Sequence, residues 1–180
     1  LGGVSGGNKV FYSLAIDSKN TLSFSNEIKP ILCIDDTVRR LAVLSGRYSR
    51  FAMDPAFSSR CDDMYERWIE KCFQACVCGK SVVLGFFEGD CAVGFLSLSF
   101  NDETASIDLL AVDEGKQRRG IGRSLVNAAI NMARDKGCGV INVATQGNNW
   151  TARRLYESCG FQSVDLQCIW HLRIGAHSLK

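Results

Sequence analysis

The segment Asp113-Glu114-Gly115-Lys116-Gln117-Arg118-Arg119-Gly120-Ile121-Gly122-Arg123 joins an apolar run, Leu109-Leu110-Ala111-Val112, to a stretch of helical periodicity. A strand that passes into a helix this way exposes backbone N–H groups lacking intrahelical partners at the positive end of the helix dipole. Such an end suits an anion. Gly120 and Gly122 remove Cβ atoms where a phosphate would approach the backbone, and Arg118, Arg119 and Arg123 surround it with charge. These residues predict a diphosphate seated on a helix N-terminus. Two glycines alone would also fit a plain basic turn. Other nucleotide loops do not fit: a Walker loop needs Gly-Lys-Ser/Thr, and the dinucleotide fingerprint needs a third glycine where Leu125 stands.

The elements that must hold this loop are legible from pattern. Residues 82–87, 91–100 and 104–112 read as strands separated by the turns Glu88-Gly89-Asp90 and Asn101-Asp102-Glu103, which implies an antiparallel meander. Residues 121–136 read as a long helix with Ile121, Leu125, Ala128 and Met132 on one stripe and Gly137 as its stop. Residues 140–145 follow as a buried strand, 151–158 as a short helix and 161–174 as closing strands. Upstream, residues 10–16 read as a strand and 28–34 as a second one, with Pro30 marking an irregularity. Asp35, Asp36 and Thr37 offer N-caps for a helix carrying Val38, Leu41 and Ala42. Residues 50–57 read as extended or turn-rich. In 61–75, Tyr65, Trp68, Ile69, Cys72 and Phe73 recur at helix spacing, as a core face or, for Tyr65 and Trp68, a binding surface. The sum is a mixed α/β sheet with helices on both faces.

The run Leu109-Leu110-Ala111-Val112, the Gln-Arg-Arg-Gly-Ile-Gly loop and the helix after it resemble the acetyl-CoA-binding core of the GNAT N-acetyltransferase superfamily. Asn149, Ala152 and Tyr156, followed by Gly160-Phe161, resemble that family's second signature, in the same order and spacing. The resemblance spans residues 105–165 and implies the family fold. In it, the strand before the loop (105–112) and the strand after the helix (140–145) splay apart, with coenzyme A between them. It further implies that Leu110, Ala111 and Val112 bind the pantetheine arm through their backbone. Amides of Gln117, Arg118, Arg119, Gly120, Ile121 and Gly122, with Arg123 nearby, would cradle the pyrophosphate. Asn149 would bind the cofactor's arm, and Tyr156 would sit beside the thioester sulfur.

Direct transfer of an acetyl group requires an amine to attack the thioester and a thiolate to leave. A tyrosine hydroxyl can protonate that thiolate, because phenol and thiol pKa values lie close together. Many family members carry a Glu on the strand before the Asn; here the position is Ala144. Asp108, sharing strand parity with Leu110 and Val112, is the substitute base, acting through water; a structural hydrogen bond is its other reading.

A narrower resemblance concerns the acceptor. Val143-Ala144-Thr145-Gln146, Ser49-Arg50-Phe51, Asp54-Pro55, Tyr65 and Trp68-Ile69-Glu70-Lys71 are similar to dTDP-fucosamine acetyltransferases, which acetylate a nucleotide-linked amino sugar. That likeness implies an acceptor side in residues 47–70, with Arg47, Arg50 or Arg60 pairing with a diphosphate. Alternative acceptors are a protein N-terminus, a lysine or another small amine. A non-catalytic acyl-CoA-binding module is a third class, disfavoured by Tyr156.

Composition narrows the rest. The chain has 180 residues, 46% hydrophobic and 22% charged, with a net charge of +2, values of one soluble globular domain without a concentrated nucleic-acid footprint. No apolar run reaches the roughly 18 residues of a membrane span. The chain opens on Leu1 rather than Met, and residues 1–8 are expected to be a disordered terminus without signal-peptide character, leaving one domain over 9–180. The nine cysteines show no paired metal spacing, and His171 and His177 lie far from Cys72, Cys76 and Cys78. Reduced thiols, no metal and a cytoplasmic location are expected. The expected partners are a small-molecule amine, with a nucleotide sugar foremost, and a second copy of the chain in a homodimer.

Overall fold

Two short turns at residues 89–90 and 102–103 leave no room for crossovers, so the middle of the chain folds back on itself. In the computed structural model, which describes residues 2–17, 19 and 21–173, β3 (Ser81–Glu88), β4 (Cys91–Asn101) and β5 (Thr104–Val112) form the expected antiparallel meander. The remaining strands are β1 (Gly2–Ala15), β2 (Ile28–Pro30), β6 (Val140–Gln146) and β7 (Gln162–Arg173), giving a seven-stranded sheet of order β2-β3-β4-β5-β6-β1-β7. Only β5 and β6 pair in parallel. Helices α1 (Asp36–Ser45) and α3 (Cys61–Val77) pack on one face of the sheet with Phe95, Leu109 and Ala111. Helices α4 (Ile121–Asp135) and α5 (Trp150–Ser158) pack on the other with Leu96, Leu98, Ile107, Ile141 and Val143. The three layers follow from strands apolar on both sides, each side needing cover from water.

Several expectations change. Residues 2–8, expected outside the fold, begin β1, which pairs with β7 along its length and inserts between β6 and β7. Backbone pairing outweighs the glycine-rich composition there, because β1 pairs with β7 from Gly2 to Ser13 and with β6 from Lys9 to Ala15. The second strand stops at Pro30, which has no N–H to continue the ladder; Ile31 adds one further bond to the Val83 carbonyl. Residues 50–53, expected extended, form a one-turn helix, α2 (Arg50–Met53), capped by the Ser49 hydroxyl. Ile174 and His177 lie outside the described residues.

A defect in β5 governs the geometry of its far end. Leu98 pairs with Ile107 and Ser97 with Leu109, so Asp108 is an extra residue in a β-bulge. Before the bulge Ala105 and Ile107 face α4; after it Leu109 and Ala111 face α1 and α3, while Leu110 and Val112 turn to the α4 side. Asp108 accepts from the Ser99 hydroxyl, and so does not share the face of Leu110 and Val112 as strict alternation suggests. The extra residue shifts the phase by one. The bulge is held by Ser97, fully buried, whose Oγ accepts the Leu109 N–H at 3.1 Å. Replacing it strands a buried donor. Ser97→Ala is expected to cost about 1–3 kcal/mol of stability, measured by urea unfolding at unchanged slope.

Candidate functional site

The parallel pairing of β5 with β6 runs only from Thr104↔Val140 to Ile107↔Val143. Beyond it the strands part, and Asp108 and Ala144 are the first residues on either arm of the fork. The Asp113 N–H reaches the Val93 carbonyl, so by alternation the backbone groups of Val112 and Leu110 point away from β4, into the fork. A cavity of about 590 Å³ fills this opening. It is lined from both sides of the sheet: by Tyr12, Leu110 and Tyr156 on the α4–α5 face, and by Asp108, Tyr65 and Arg50 on the α1–α3 face. The cleft thus passes between the sheet's two layers of helices.

At one end stands the basic loop. Asp35, Ser49 and Asn149 each cap a helix with a side-chain oxygen, whereas α3 and α4 start without a side-chain cap. Of these two, α4 is the one that follows β5 through the basic loop, and its first-turn amides are open to an external anion. The backbone wraps tightly here, with Arg118 at φ 64 and Gly120 at φ 80, a region a glycine adopts without penalty. Gly120 has open space around it, as an approaching phosphate requires; a Cβ on Gly122 would instead meet Leu155 of α5 at 3.2 Å. Gly122 therefore serves helix packing rather than phosphate approach. Ile121 is buried in the α4-side core and can offer only its backbone. The loop is anchored by ion pairs: Arg40 to Asp113 and Arg47 to Glu114 from the α1 side, and Lys116 to Glu88, with Arg119 3.8 Å from Glu88. No described residue pairs with Arg118 or Arg123. The Gln117 amide donates to the Val112 carbonyl at 3.0 Å, closing the loop onto β5.

Not every predicted residue reaches the cleft. Leu110, Asn149, Tyr156 and Asp108 line it. Ala111 is 7% exposed and packs toward α1 and α3. Asn149 also has a structural duty, its Oδ1 accepting the Ala152 N–H at 3.1 Å. On the acceptor side Arg47 is held by Glu114, and Arg60 lies in a separate groove, so of the three arginines only Arg50 lines the cavity. Pattern reading missed Tyr12 of β1. Its hydroxyl donates to Glu157 at 2.8 Å and accepts from Arg153 at 3.1 Å, and its ring lies 6.1 Å from that of Tyr156. Nothing in residues 10–16 announces that β1 runs beside β6. Only the long-range pairing puts it there.

The electrostatics differ between the two faces. Tyr156 is 4% exposed; burial, reinforced by Cys159, raises its pKa, so the hydroxyl stays protonated. No described residue hydrogen-bonds that hydroxyl, and its place in the lining leaves it facing the cavity. Burial also lifts the Asp108 carboxyl to about 6, against the opposing hydrogen bond from Ser99 at 3.1 Å. At neutral pH it is an ionised base with appreciable proton affinity. Lys9, which lines the cavity with Arg50, has its pKa lowered by burial and then by the nearby charge of Arg50. Among the described residues no cluster of His, Cys, Asp or Glu could hold a metal, no helix is long and apolar enough to cross a membrane, and the nine cysteines are free thiols.

Comparison with known proteins bears on this arrangement. The model of the acetyltransferase (GNAT) family matches residues 48–161. Mycothiol acetyltransferase of Beutenbergia cavernae is 41% identical over 61 residues, 34% of this chain and 20% of that protein. The [ribosomal protein bS18]-alanine N-acetyltransferase of Haemophilus ducreyi is 27% identical over 88 residues, 49% of this chain and 61% of that one. The chain thus spans about a fifth of the length of the mycothiol enzyme it matches. Among solved structures, the PaiA N-acetyltransferase of Thermoplasma acidophilum with coenzyme A superposes with a TM-score of 0.61 at 16% identity, covering 76% of this chain and 88% of that one. A Bacillus subtilis acetyltransferase with CoA gives 0.56 at 24% identity and 75% coverage of each chain.

Two measurements follow from the geometry. A Cβ at position 120 forces a side chain into the left-handed region, costing about 1 kcal/mol and disturbing the anion seat. Gly120→Ala is expected to weaken coenzyme A binding by about tenfold or more in calorimetry. The raised folded pKa of Asp108 means that ionising it opposes folding, so its penalty grows as pH rises from the unfolded carboxylate range through about 6. Asp108→Asn is therefore expected to melt above the wild type at pH 7, with the difference vanishing near pH 4.

Proposed function

The chain belongs to the acetyltransferase (GNAT) family, and we propose that it transfers an acetyl group from acetyl-CoA to the primary amine of a small molecule by direct attack. The observation that carries this reading is the fork between β5 and β6, with an uncapped helix N-terminus at the end of β5 and a protonated tyrosine and a carboxyl of raised pKa in the lining of its cavity. The fork fits coenzyme A. First-turn amides of α4, with Arg118, Arg119 and Arg123, would take the pyrophosphate. Backbone groups of Leu110 and the N–H of Val112, unclaimed by β6, would take the pantetheine arm as a strand takes a neighbour, the Val112 carbonyl being held by Gln117.

The residues then divide the work by face. Asp108, on the α1–α3 side, accepts a proton from the attacking amine, directly or through water, as the C–N bond forms. The C–S bond breaks, and Tyr156, on the α4–α5 side, donates to the departing thiolate. Because burial raises its pKa, full proton transfer from the phenol is less favourable than from an exposed tyrosine. Its hydroxyl acts mainly as a fixed hydrogen-bond donor to the developing negative sulfur, whose final proton solvent can supply. Ala144 leaves the opposite arm of the fork without a carboxylate; of the two carboxylates lining the cavity, Asp165 accepts from the Leu166 N–H and the Gln167 side chain, which favours Asp108 as the base.

The acceptor enters from the α1–α3 side. Lys9 and Arg50 at that mouth disfavour a polycation and favour an amine bearing negative charge elsewhere. A nucleotide-linked amino sugar has this character, and Ser49, Arg50 and Phe51, quoted above for likeness to enzymes of that class, line the cavity.

Tyr156→Phe is expected to lower kcat about 10- to 100-fold with little change in KM for acetyl-CoA, measured by thiol release. Asp108→Asn should lower kcat/KM for the amine at least about 100-fold at pH 7.5. In the wild type kcat/KM should fall as pH drops through about 6, where Asp108 becomes protonated, and the substitution should remove that limb. A limb that survives it would take Asp108 out of the mechanism.

A further inference from the structure

Strand β1 turns its side chains alternately to the two faces of the sheet. Val10 and Tyr12 are buried in the α4–α5 core, so Lys9 and Phe11 stand on the α1–α3 face. By the same alternation Val143 belongs to the α4–α5 core and Ala144 to the α1–α3 face. Phe11 pairs directly with Ala144, the first residue on the β6 arm of the fork, and Lys9 pairs with Gln146. The Lys9 side chain bends back along the strand, its Nζ 4.9 Å from the centroid of the Phe11 ring. That brings the amine beside the point where β5 and β6 separate. Lys9 and Phe11 both line the catalytic cavity with Asp108, Leu110 and Tyr156, and among the described residues Lys9 is the only lysine that does so. No ion pair or hydrogen bond to a described residue holds its Nζ. Burial and the Arg50 charge both favour the neutral amine.

We propose that Lys9 is an internal acetyl acceptor: with acetyl-CoA bound and no substrate in the cavity, its amine takes the acetyl group. The inference rests on the acetyl-transfer reading of the cleft and goes beyond it, to a second reaction of the same site, modification of the protein itself. An amine must be neutral, unpaired and near the thioester to attack it, and Lys9 combines all three conditions. Its tether also holds it in the cavity at a concentration that a free amine does not reach in solution. In the reaction a C–N bond forms between Nζ and the thioester carbon, and the C–S bond breaks. The amine loses one proton and the departing sulfur gains one, so coenzyme A leaves as a thiol and no further reactant is needed. The acetylated side chain is uncharged. It leaves Arg50 as the only arginine or lysine cation in the described lining and adds bulk beside Phe11. Acetyl-CoA without an acceptor thereby alters the acceptor side of its own cleft.

The test is to incubate the wild-type protein with acetyl-CoA alone and follow each lysine by peptide mass spectrometry. Lys136 is the matched control, because its Nζ also covers a ring, Phe100 at 5.6 Å, but lies outside the cavity lining. Lys9 is expected to gain an acetyl group at least about tenfold faster than Lys136. Its first-order rate constant should not change with protein concentration, as befits transfer within one molecule. Excess coenzyme A, which competes for the cofactor site, should slow labelling of Lys9 and leave Lys136 unaffected. Labelling of Lys9 at the rate of Lys136, or labelling that coenzyme A does not slow, overturns the internal acceptor. A parallel measurement of thiol release with a panel of added amines separates this failure from a failure of the acetyl-transfer reading. Release from an added amine with Lys9 unmodified keeps that reading and removes only the internal acceptor. No release from any amine and no labelling of Lys9 overturns both.

Discussion

Two parallel strands that pair for four residues and then separate leave a row of backbone donors and acceptors facing no protein partner. Buried polar groups in that state are costly, and a sheet normally closes such a gap. Here it is kept open because each arm is held from its outer side: β5 by the β3–β4 meander, β6 by the long antiparallel pairing with β1. Everything functional depends on that balance. The cavity, the Leu110 backbone and Val112 N–H turned into it, and the meeting of residues from both sheet faces all exist because β5 and β6 are each satisfied elsewhere.

The same opening explains why two titratable groups that line one cavity differ so much. Tyr156 is enclosed by Tyr12 and Phe161, whose rings lie 6.1 and 5.8 Å from its own, so nothing rewards its ionisation. Asp108 is also desolvated, but Ser99 donates to it and limits the rise. One group is thereby kept as a donor and the other as an acceptor at neutral pH. The ion pairs that tie Arg40 and Arg47 of the α1 side to Asp113 and Glu114 are largely exposed and weak individually. Their role is positional: they fix the basic loop after β5 relative to α1 and the residues that follow it.

Much of this was legible in the residues. The meander was written in its turns, α4 in its 3.6-residue stripe, and the cofactor loop in the conjunction of strand, basic turn and glycine. Position 144 was visible as an alanine in the place where a carboxylate is sought. Three things were not legible, and each for a physical reason. The insertion of β1 beside β6 is a long-range pairing with no local signature, so Tyr12 could not be placed and residues 2–8 looked like a tail. The bulge at Asp108 depends on a serine one strand away, so alternation put the carboxylate on the wrong face. Gly122 looked like a phosphate glycine because its tertiary neighbour, Leu155, is distant in sequence.

The bulge also bears on how this strand can change over evolutionary time. Single insertions and deletions in a sheet interior are usually ruinous, since all downstream side chains exchange core for solvent. In β5 the extra residue already sits between two apolar layers, and both faces after it are lined by helices. Positions 109 to 112 therefore need apolar side chains whichever way they point. A lineage could gain or lose this one residue while keeping a foldable strand, and what would move is the carboxylate. The address of this carboxylate can drift without the scaffold being rebuilt.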